Sequence, residues 1–370
     1  MTRPINQLPG YVPLVYLDDR IVLSRLNRLY VADLHFKNIE YVCTIGKLDG
    51  VRRLLSRFRL MQRLLRLDMG PATPLQKKGC LLVFYRGQAF NIDINQRKAS
   101  QESLPSLTRN PLQMLLIQSG PQEGSVVFGD YSPNANYGPV NIYRRNKSAQ
   151  WEIAYVFPKA EINHVHGIFE DASRNCLYIL TGDFDQGACI WAADMTFRNV
   201  RPMLRKGQMS RACWIIPREE KLVFATDQQE EFNYLCTVDT HETQRIYRHF
   251  PIAGSSIFFS RTHSDPIVFS TAVEPHPSNK FSLRSLLSIR RASGILSDNA
   301  CVYAGTPEQG FEIVFSAKKD RLPYGLFQFG NIRFPDGRSS DTKYVHFYCS
   351  ALKGHDGVAY AIQLTQNQSE

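Results

Sequence analysis

The chain has 370 residues, of which 43% are apolar and 11% aromatic, and it carries a formal net charge of +10. Its apolar content suffices for a large core, and no apolar run reaches the ~20 residues of a membrane-spanning helix. The basic balance points to an anionic partner: an acidic glycan, nucleic acid or a lipid surface. Nucleic acid ranks last because no RNA-recognition or zinc-finger signature is present. A solvated basic surface with no partner accounts for the charge equally well.

Tyr11–Ile45 reads as four β-rich runs, VPLVYL, RIVLSR, RLYVADL and EYVCTI. The next segment, VRRLLSRFRLMQRLLR over 51–66, has a different period. Val51, Leu54, Leu55, Phe58, Met61 and Leu65 share one helical face, and Arg52, Arg53, Arg57, Arg59, Arg63 and Arg66 fall mostly elsewhere. This spacing predicts a basic amphipathic helix inserted into a β framework. Two roles are open to it. It packs its apolar face on the sheets with its arginines in water, or it attaches to an anionic membrane surface or a partner.

Strand patterns resume at Gly79–Leu104 and then repeat. Leu112–Phe157 contains LQMLLIQ, SVVFGDY, PVNIYRR and WEIAYVF, and Trp151, Ile153, Tyr155 and Phe157 alternate onto one face of the last. Ile162–Leu204 (INHVHGIFED, LYILTGDF, ACIWAAD, NVRPML) and Ser210–Phe250 (SRACWIIP, KLVFATD, NYLCTVD, TQRIYRHF) repeat the phrase. A further unit runs from Ser255 to Ala317, and another from about Leu326 onward (LFQFGNIRF, KYVHFYCSAL, GVAYAIQL). Gly, Pro, Asn, Asp and Ser fill the gaps, as tight turns require. Four strands recurring every 40–50 residues or so are the signature of a β-propeller. The expected fold is all-β, one β-propeller domain over residues 1–370 with about seven four-stranded antiparallel blades; six or eight also fit the N-terminal register. Residues 274–299, rich in Ser, Arg and Pro, interrupt the penultimate unit and read as a loop insertion or a flap over the mouth of the propeller.

The eight cysteines show no CxxC pairing, and most lie in strand patterns beside apolar neighbours. That predicts reduced core thiols. The first residues, MTRPINQLPGYVPL, lack the apolar segment of a signal peptide. Together these point to a cytoplasmic protein, peripheral to the membrane if 51–66 attaches there.

Propeller geometry indicates where function should sit. Within a blade, the loop between the second and third strands shares a face with the link into the next blade. The unusual polar residues fall at those places. Asp130 and Tyr131, Asp183 and Asp185, Asp227, and Glu274 follow second strands. His164, His166 and Arg211 open first strands, and Asn233 and Tyr234 close a loop of the third repeat. Convergence of these positions on one cavity is the main functional signal.

Each piece has two readings. His164 and His166 face the same way because strand periodicity is two. They suit a general base or a divalent-metal pair with Asp183 or Asp227, or they are hydrogen-bonded histidines lining a channel. Asp183 and Glu274 suit an acid/base role in glycoside cleavage, where carboxyl separations of about 5–5.5 Å or 6.5–9.5 Å separate retaining from inverting chemistry. Otherwise they stabilise turns. Arg211 clamps a ligand carboxylate or phosphate, or pairs with Asp183 or Asp227 and does nothing else. Tyr131 and Tyr234 stack on a sugar or simply pack. Asp130, Tyr131, Arg211, Asp227, Asn233 and Tyr234 are the expected substrate-binding set, and His164, His166, Asp183 and Glu274 the expected catalytic one.

Arg144–Trp151, RRNKSAQW, resembles a degenerate Asp box, the S-x-D-x-G-x-T-W turn of sialidase-like propellers. Asn146 stands at the Asp position, Ser148 at the Gly position and Trp151 at the Trp position. The stretches HVHGIFEDASRNCLYILTGDFD, FATDQQEEFNYL and STAVEP are similar to uncharacterised bacterial propellers associated with surface-polysaccharide loci, and more distantly to the photosystem II assembly-factor propeller. The resemblance implies that Asn146 ties the turn to backbone and that Trp151 wedges between blades. Sialidases of this fold use an arginine triad, a Tyr–Glu pair and an acid Asp. Only Arg211 and Tyr131 stand at suitable strand ends here, so the resemblance does not imply sialic-acid hydrolysis. Two functions are expected from different classes: a glycan-directed protein acting on or binding an acidic polysaccharide, as hydrolase or lyase if catalytic, and a non-catalytic scaffold for protein assembly.

Overall fold

The computed structural model describes residues 6–106, 110–241, 245–277 and 282–364. It is a seven-bladed β-propeller of four-stranded antiparallel sheets. The chain divides into two compact units, one formed by residues 70–252 and the other by residues 1–69 with 253–370.

The unit of residues 70–252 holds four sheets, each with its strands side by side in chain order. The first is Ala72–Pro74, Cys80–Tyr85, Gln88–Asp93 and Lys98–Glu102. The second is Leu115–Leu116, Val126–Gly129, Val140–Arg145 and Trp151–Phe157. The third is Val165–Asp171, Cys176–Thr181, Cys189–Asp194 and Val200–Leu204. The fourth is Ala212–Arg218, Lys221–Thr226, Asn233–Asp239 and Ile246–Ile252. Short turns join consecutive strands, which is why every pairing is antiparallel.

Burial explains the sequence pattern strand by strand. Second strands such as CLLVFY are buried along their whole length, so they read as unbroken apolar runs. Fourth strands such as WEIAYVF are mostly half-buried or exposed; here the pairing slips at Ala154, so Ile153 is 43% exposed instead of sharing the face of Trp151, Tyr155 and Phe157. Leu115, Val127, Ile142, Phe157, Ile168, Ile179 and Trp191 form one continuous core between the second and third sheets. The turn at 146–149 is closed by its own residues. Gln150 N–H donates to Asn146 Oδ1 at 2.9 Å, and Ala149 takes the left-handed conformation at φ 62°. Trp151 reaches across to the first sheet, where its Nε1–H donates to Glu102 at 2.8 Å beside the two hydrogen bonds of Arg145.

The other unit holds three sheets. One is Val12–Leu17, Arg20–Arg25, Arg28–Asp33 and Glu40–Thr44. Another is Phe259–Ser264, Ile267–Ser270, Asn299–Thr306 and Gly310–Lys318. The last comprises Asn331–Arg333, Tyr344–Ser350 and Val358–Gln363, completed by Asn6–Pro9 from the other end of the chain. Asn6 pairs with Ala361 and Pro9 with Val358. The sequence NQLP carries no strand signal, and Pro9 is tolerated because this is an outer strand.

The expected helix over 51–66 is two short ones, Gly50–Leu55 and Arg59–Leu64. Asp49 caps the first, and Phe58 breaks the run with an extended backbone at φ −104°, ψ 123°. The orientation is also the reverse of the helical-wheel expectation. Val51 is 68% and Phe58 64% exposed, whereas Arg63 is 3% exposed. Arg63 reaches Asp320 at 2.5 Å and Asp356 at 3.5 Å and donates to the Phe327 carbonyl. Residues 274–299 connect Ile267–Ser270 to Asn299–Thr306 and include one short helix, Leu283–Leu286; the 278–281 part of the expected insertion lies outside the described residues. All eight cysteines are free, seven of them buried. Among the described residues no helix is long and apolar enough to cross a membrane.

Candidate functional site

The third and fourth sheets of the 70–252 unit bring the expected histidines, acids and arginine together. His164 immediately precedes the strand Val165–Asp171. The pairing of that strand with Cys176–Thr181 slips between Val165 and Gly167, so His166 sits at a bulge. The two imidazoles face one another with Nε2 atoms 3.1 Å apart. His166 is 2% exposed, and its Nδ1 lies 2.9 Å from the Ala212 carbonyl oxygen. A carbonyl only accepts, so Nδ1 carries the proton and the Nε2 lone pair faces His164.

Gly182 and Asp183 turn the chain over these rings. A Cβ on Gly182 would stand 2.3 Å from His166 Cε1, so only glycine lets the backbone pass this close. Asp183 is left-handed at φ 82°, a conformation that Asp tolerates better than most residues. Asn163 Nδ2 donates to Asp183 Oδ2 at 2.8 Å. His164 Nε2 is 3.3 Å from Oδ2, His166 Nε2 is 3.5 Å from Oδ1, and an Arg211 nitrogen is 3.3 Å from Oδ1. The same guanidinium lies 3.4 Å from buried Asp227, whose carboxylate is 3.3 Å from Cys213 Sγ. The Tyr131 ring meets His164 edge-on at 4.5 Å.

Electrostatics follow from this packing. Burial opposes ionisation of Asp183, but hydrogen bonding from the histidine pair, chiefly from His164 because His166 keeps its proton on Nδ1, outweighs it and holds the carboxyl well below its usual range. Burial pushes the His166 imidazole below its ordinary value despite Asp183, which keeps the ring neutral. Burial also raises the Asp130 carboxyl, though Asn141 and Tyr143 hydrogen-bond to it. Three ligand-capable atoms thus meet at one point, with a neutral base, an ionised carboxylate and an arginine in contact.

His164, His166, Asp183, Arg211, Asp227 and Tyr131 therefore assemble as the strand-end argument expects. Other members of the expected set are engaged elsewhere. Asp130 accepts from Asn141 N–H at 3.1 Å, within its own sheet. Asn233 is fully buried and closes its own loop, accepting from Gln228 N–H at 2.6 Å and donating to the Gln228 carbonyl at 2.8 Å. Tyr234 lies under the Arg248 guanidinium, 5.0 Å from its ring centre. Asp185 accepts from Gln208 Nε2 at 2.9 Å. Glu274 belongs to the other unit, where Ser255 Oγ–H donates to its carboxylate at 2.6 Å.

Five residues at the site escape sequence reasoning: Asn163, Gly182, Cys213, Tyr137 and Phe184. Asn163 adjoins the His-x-His pair and Gly182 adjoins Asp183, so both were within reach of a local reading. Tyr137 and Phe184 come from loops of neighbouring sheets and stack edge-on at 5.2 Å, with Tyr137 46% exposed beside the rim that carries Asp183. Nothing in either loop alone announces that pair.

No protein-family model matches the chain, and no curated protein matches it. Solved structures do. The AfRom2 CNH domain superposes with a TM-score of 0.56 at 9% identity, covering 99% of this chain and 98% of that one. A chain of the mitotic checkpoint complex gives 0.57 at 8% identity, covering 99% and 96%. The computationally designed Ika8 protein gives 0.50 at 9% identity, covering 96% of each. At such identities the likeness shows the fold alone.

Proposed function

We propose that this chain is a glycan-directed β-propeller that binds an acidic oligosaccharide at the rim formed by Tyr131, Tyr137, Asp183 and Phe184. The Tyr137–Phe184 pair carries this reading: an exposed Tyr137 packed on a half-buried Phe184 offers aromatic surface suited to the C–H face of a pyranose, and the adjacent Asp183, held by Asn163, can accept from sugar hydroxyls. The acidic group is read by Arg211. Of the two carboxylates against that guanidinium, Asp183 is the more open at 35% exposure, so it is the one a ligand carboxylate displaces. Free, mostly buried thiols fit a reducing compartment such as the cytoplasm. A thermal-shift screen against uronate-containing oligosaccharides tests the reading. A stabilising ligand should lose its effect in Tyr137→Ala and His164→Ala. The reading fails if no member of the panel stabilises the protein, or if the shift survives both changes. Release of new reducing or unsaturated sugar ends from the same ligand would mark a hydrolase or a lyase; binding without products would mark a receptor.

A second reading, a scaffold held at an anionic membrane surface, draws on the other unit. Val51, Leu54 and Phe58 are exposed beside exposed Arg53 and Arg57. Leu283, Leu287 and Ile289 are exposed beside Arg284 and Arg290. The segments that follow the first group and carry the second both touch the short helix Tyr324–Phe327. Arg66 donates to the Gly325 carbonyl at 3.0 Å, and a Cβ on Gly325 would lie 2.7 Å from the Leu286 carbonyl oxygen. Apolar side chains rimmed by arginines are what an anionic lipid surface takes up. Vesicle co-sedimentation should show binding to phosphatidylglycerol-containing but not pure phosphatidylcholine vesicles, lost in Phe58→Glu and at high salt. Equal recovery with both vesicle types, or with neither, removes this reading.

A further inference from the structure

We propose that His164, His166 and Asp183 form a binding site for one divalent transition-metal ion, of which zinc is the expected occupant. The first argument is spacing. The Nε2 atoms of His164 and His166 lie 3.1 Å apart, the first 3.3 Å from Asp183 Oδ2 and the second 3.5 Å from Asp183 Oδ1. Metal–nitrogen and metal–oxygen bonds of about 2.0–2.2 Å in a tetrahedron place neighbouring ligand atoms about 3.3 Å apart. Each pairwise spacing is thus close to such an edge, and one ligand atom from each of the three residues lies within 4.8 Å of the other two.

The second argument is the position of the protons. His166 gives its Nδ1 proton to the Ala212 carbonyl at 2.9 Å, which is how a metal-ligating histidine is commonly oriented. Its Nε2 lone pair then points at the Asp183 carboxylate, an electron-rich pair facing another at 3.5 Å. His164 can supply one proton between the rings, but a cation satisfies both lone pairs and the carboxylate at once. Asn163 anchors Asp183 Oδ2 at 2.8 Å in the matching role on the carboxylate side. Arg211 brings a positive charge within 3.3 Å of Asp183, and Asp227, 3.4 Å from the same guanidinium, offsets it.

The donor set narrows the ion. Two imidazoles and one carboxylate favour zinc and neighbouring first-row metals over magnesium or calcium, which want oxygen. A second grouping nearby, His166 with Cys213 and Asp227, also has three ligand types within 4.8 Å of one another. It would need the Nδ1 lone pair of His166, which the Ala212 hydrogen bond consumes, so the ion belongs on the Nε2 side. A site with three protein ligands leaves a coordination position open to the rim. The metal proposal does not depend on the glycan reading.

The test uses metal alone. The purified 370-residue chain is stripped with a chelator and titrated with Co²⁺, whose visible absorption reports coordination, and with Zn²⁺ by calorimetry and thermal shift. One ion per chain and an intense tetrahedral Co²⁺ band are expected. Affinity should fall at least tenfold in His164→Gln and in Asp183→Asn, and should persist in Cys213→Ser. Asp183→Asn preserves shape, so it stays informative if the histidine variant folds poorly. No Co²⁺ band, or affinity unchanged in both variants, overturns the site. Loss confined to Cys213→Ser would move the ion to the other grouping and overturn it as well. Because no sugar is present, this outcome is separable from failure of the glycan reading.

Discussion

His263 and His346 show how burial settles the chemistry of a single side chain. Both belong to the unit that contains the chain ends, and burial pushes both imidazoles down to about 4. Each neutral ring is fully matched. His263 donates from Nε2 to the Thr342 carbonyl at 3.0 Å and accepts from Ser260 at 2.8 Å. His346 donates to the Leu34 carbonyl at 2.6 Å and accepts from Tyr16 at 2.9 Å. In the unfolded chain these groups titrate near 6.5, so between about pH 6.5 and 4 the unfolded state binds more protons than the native one. Stability must then fall with pH through that window, by up to roughly 3 kcal/mol per histidine. Urea midpoints measured from pH 7 to 4 should decline, and His263→Gln should flatten the decline. A midpoint constant over that range would show that neither ring is held neutral. The same contrast separates His164 and His166 from their sequence reading. The i, i+2 spacing gave them a common face, but the tautomer of His166 follows from the Ala212 carbonyl, which another sheet supplies.

The paired helices at 50–64 make the corresponding point for an element. A helical wheel sorts VRRLLSRFRLMQRLLR into an apolar stripe and a basic remainder and expects the stripe to be buried. Instead the extended residue Phe58 resets the phase, and Arg63 is drawn inward by Asp320, Asp356 and a backbone carbonyl. A charge so buried is held by its partners, and removing it takes a donor from the Phe327 carbonyl and one cation each from Asp320 and Asp356, which keep Lys319 and Arg59. Arg63→Ala should therefore destabilise the protein by about 3 kcal/mol. Arg57, exposed and one break away, should cost less than about 0.5 kcal/mol on the same change. Chemical denaturation of the two variants compares them directly, and equal losses would return the arginines to the surface role that the wheel assigns. The turn at 146–149 went the other way. Its chemistry is local, with Asn146, Ala149 and Gln150 within five residues, so sequence sufficed to read it.

For the molecule as a whole, seven four-stranded sheets were legible because each repeat is a closed phrase of strands and turn residues. The exception is the last sheet, whose outer strand comes from Asn6–Pro9. Deleting residues 1–9 should leave Val358–Gln363 as a bare, paired-on-one-side edge. The truncated chain is expected to melt several degrees lower and to self-associate on heating, as scanning calorimetry and light scattering would detect. An unchanged melting curve would mean the terminal strand contributes nothing to that sheet's stability.

Sequence by itself determined most of the strands and the blade repeat, though not the strand Asn6–Pro9 or the break in 51–66, because alternation, turn residues and strand length are properties of neighbours in the chain. It also placed His164, His166, Asp183, Arg211 and Asp227 at strand ends that share a face. Tertiary structure alone decided which of them touch, where Asn233 and Asp130 spend their hydrogen bonds, and which arginine of 51–66 is buried. It also joined Tyr137 to Phe184 and Asn6–Pro9 to Val358–Gln363. Those outcomes depend on groups far apart in the chain, and their energies are set by burial and partner geometry, which no local pattern encodes.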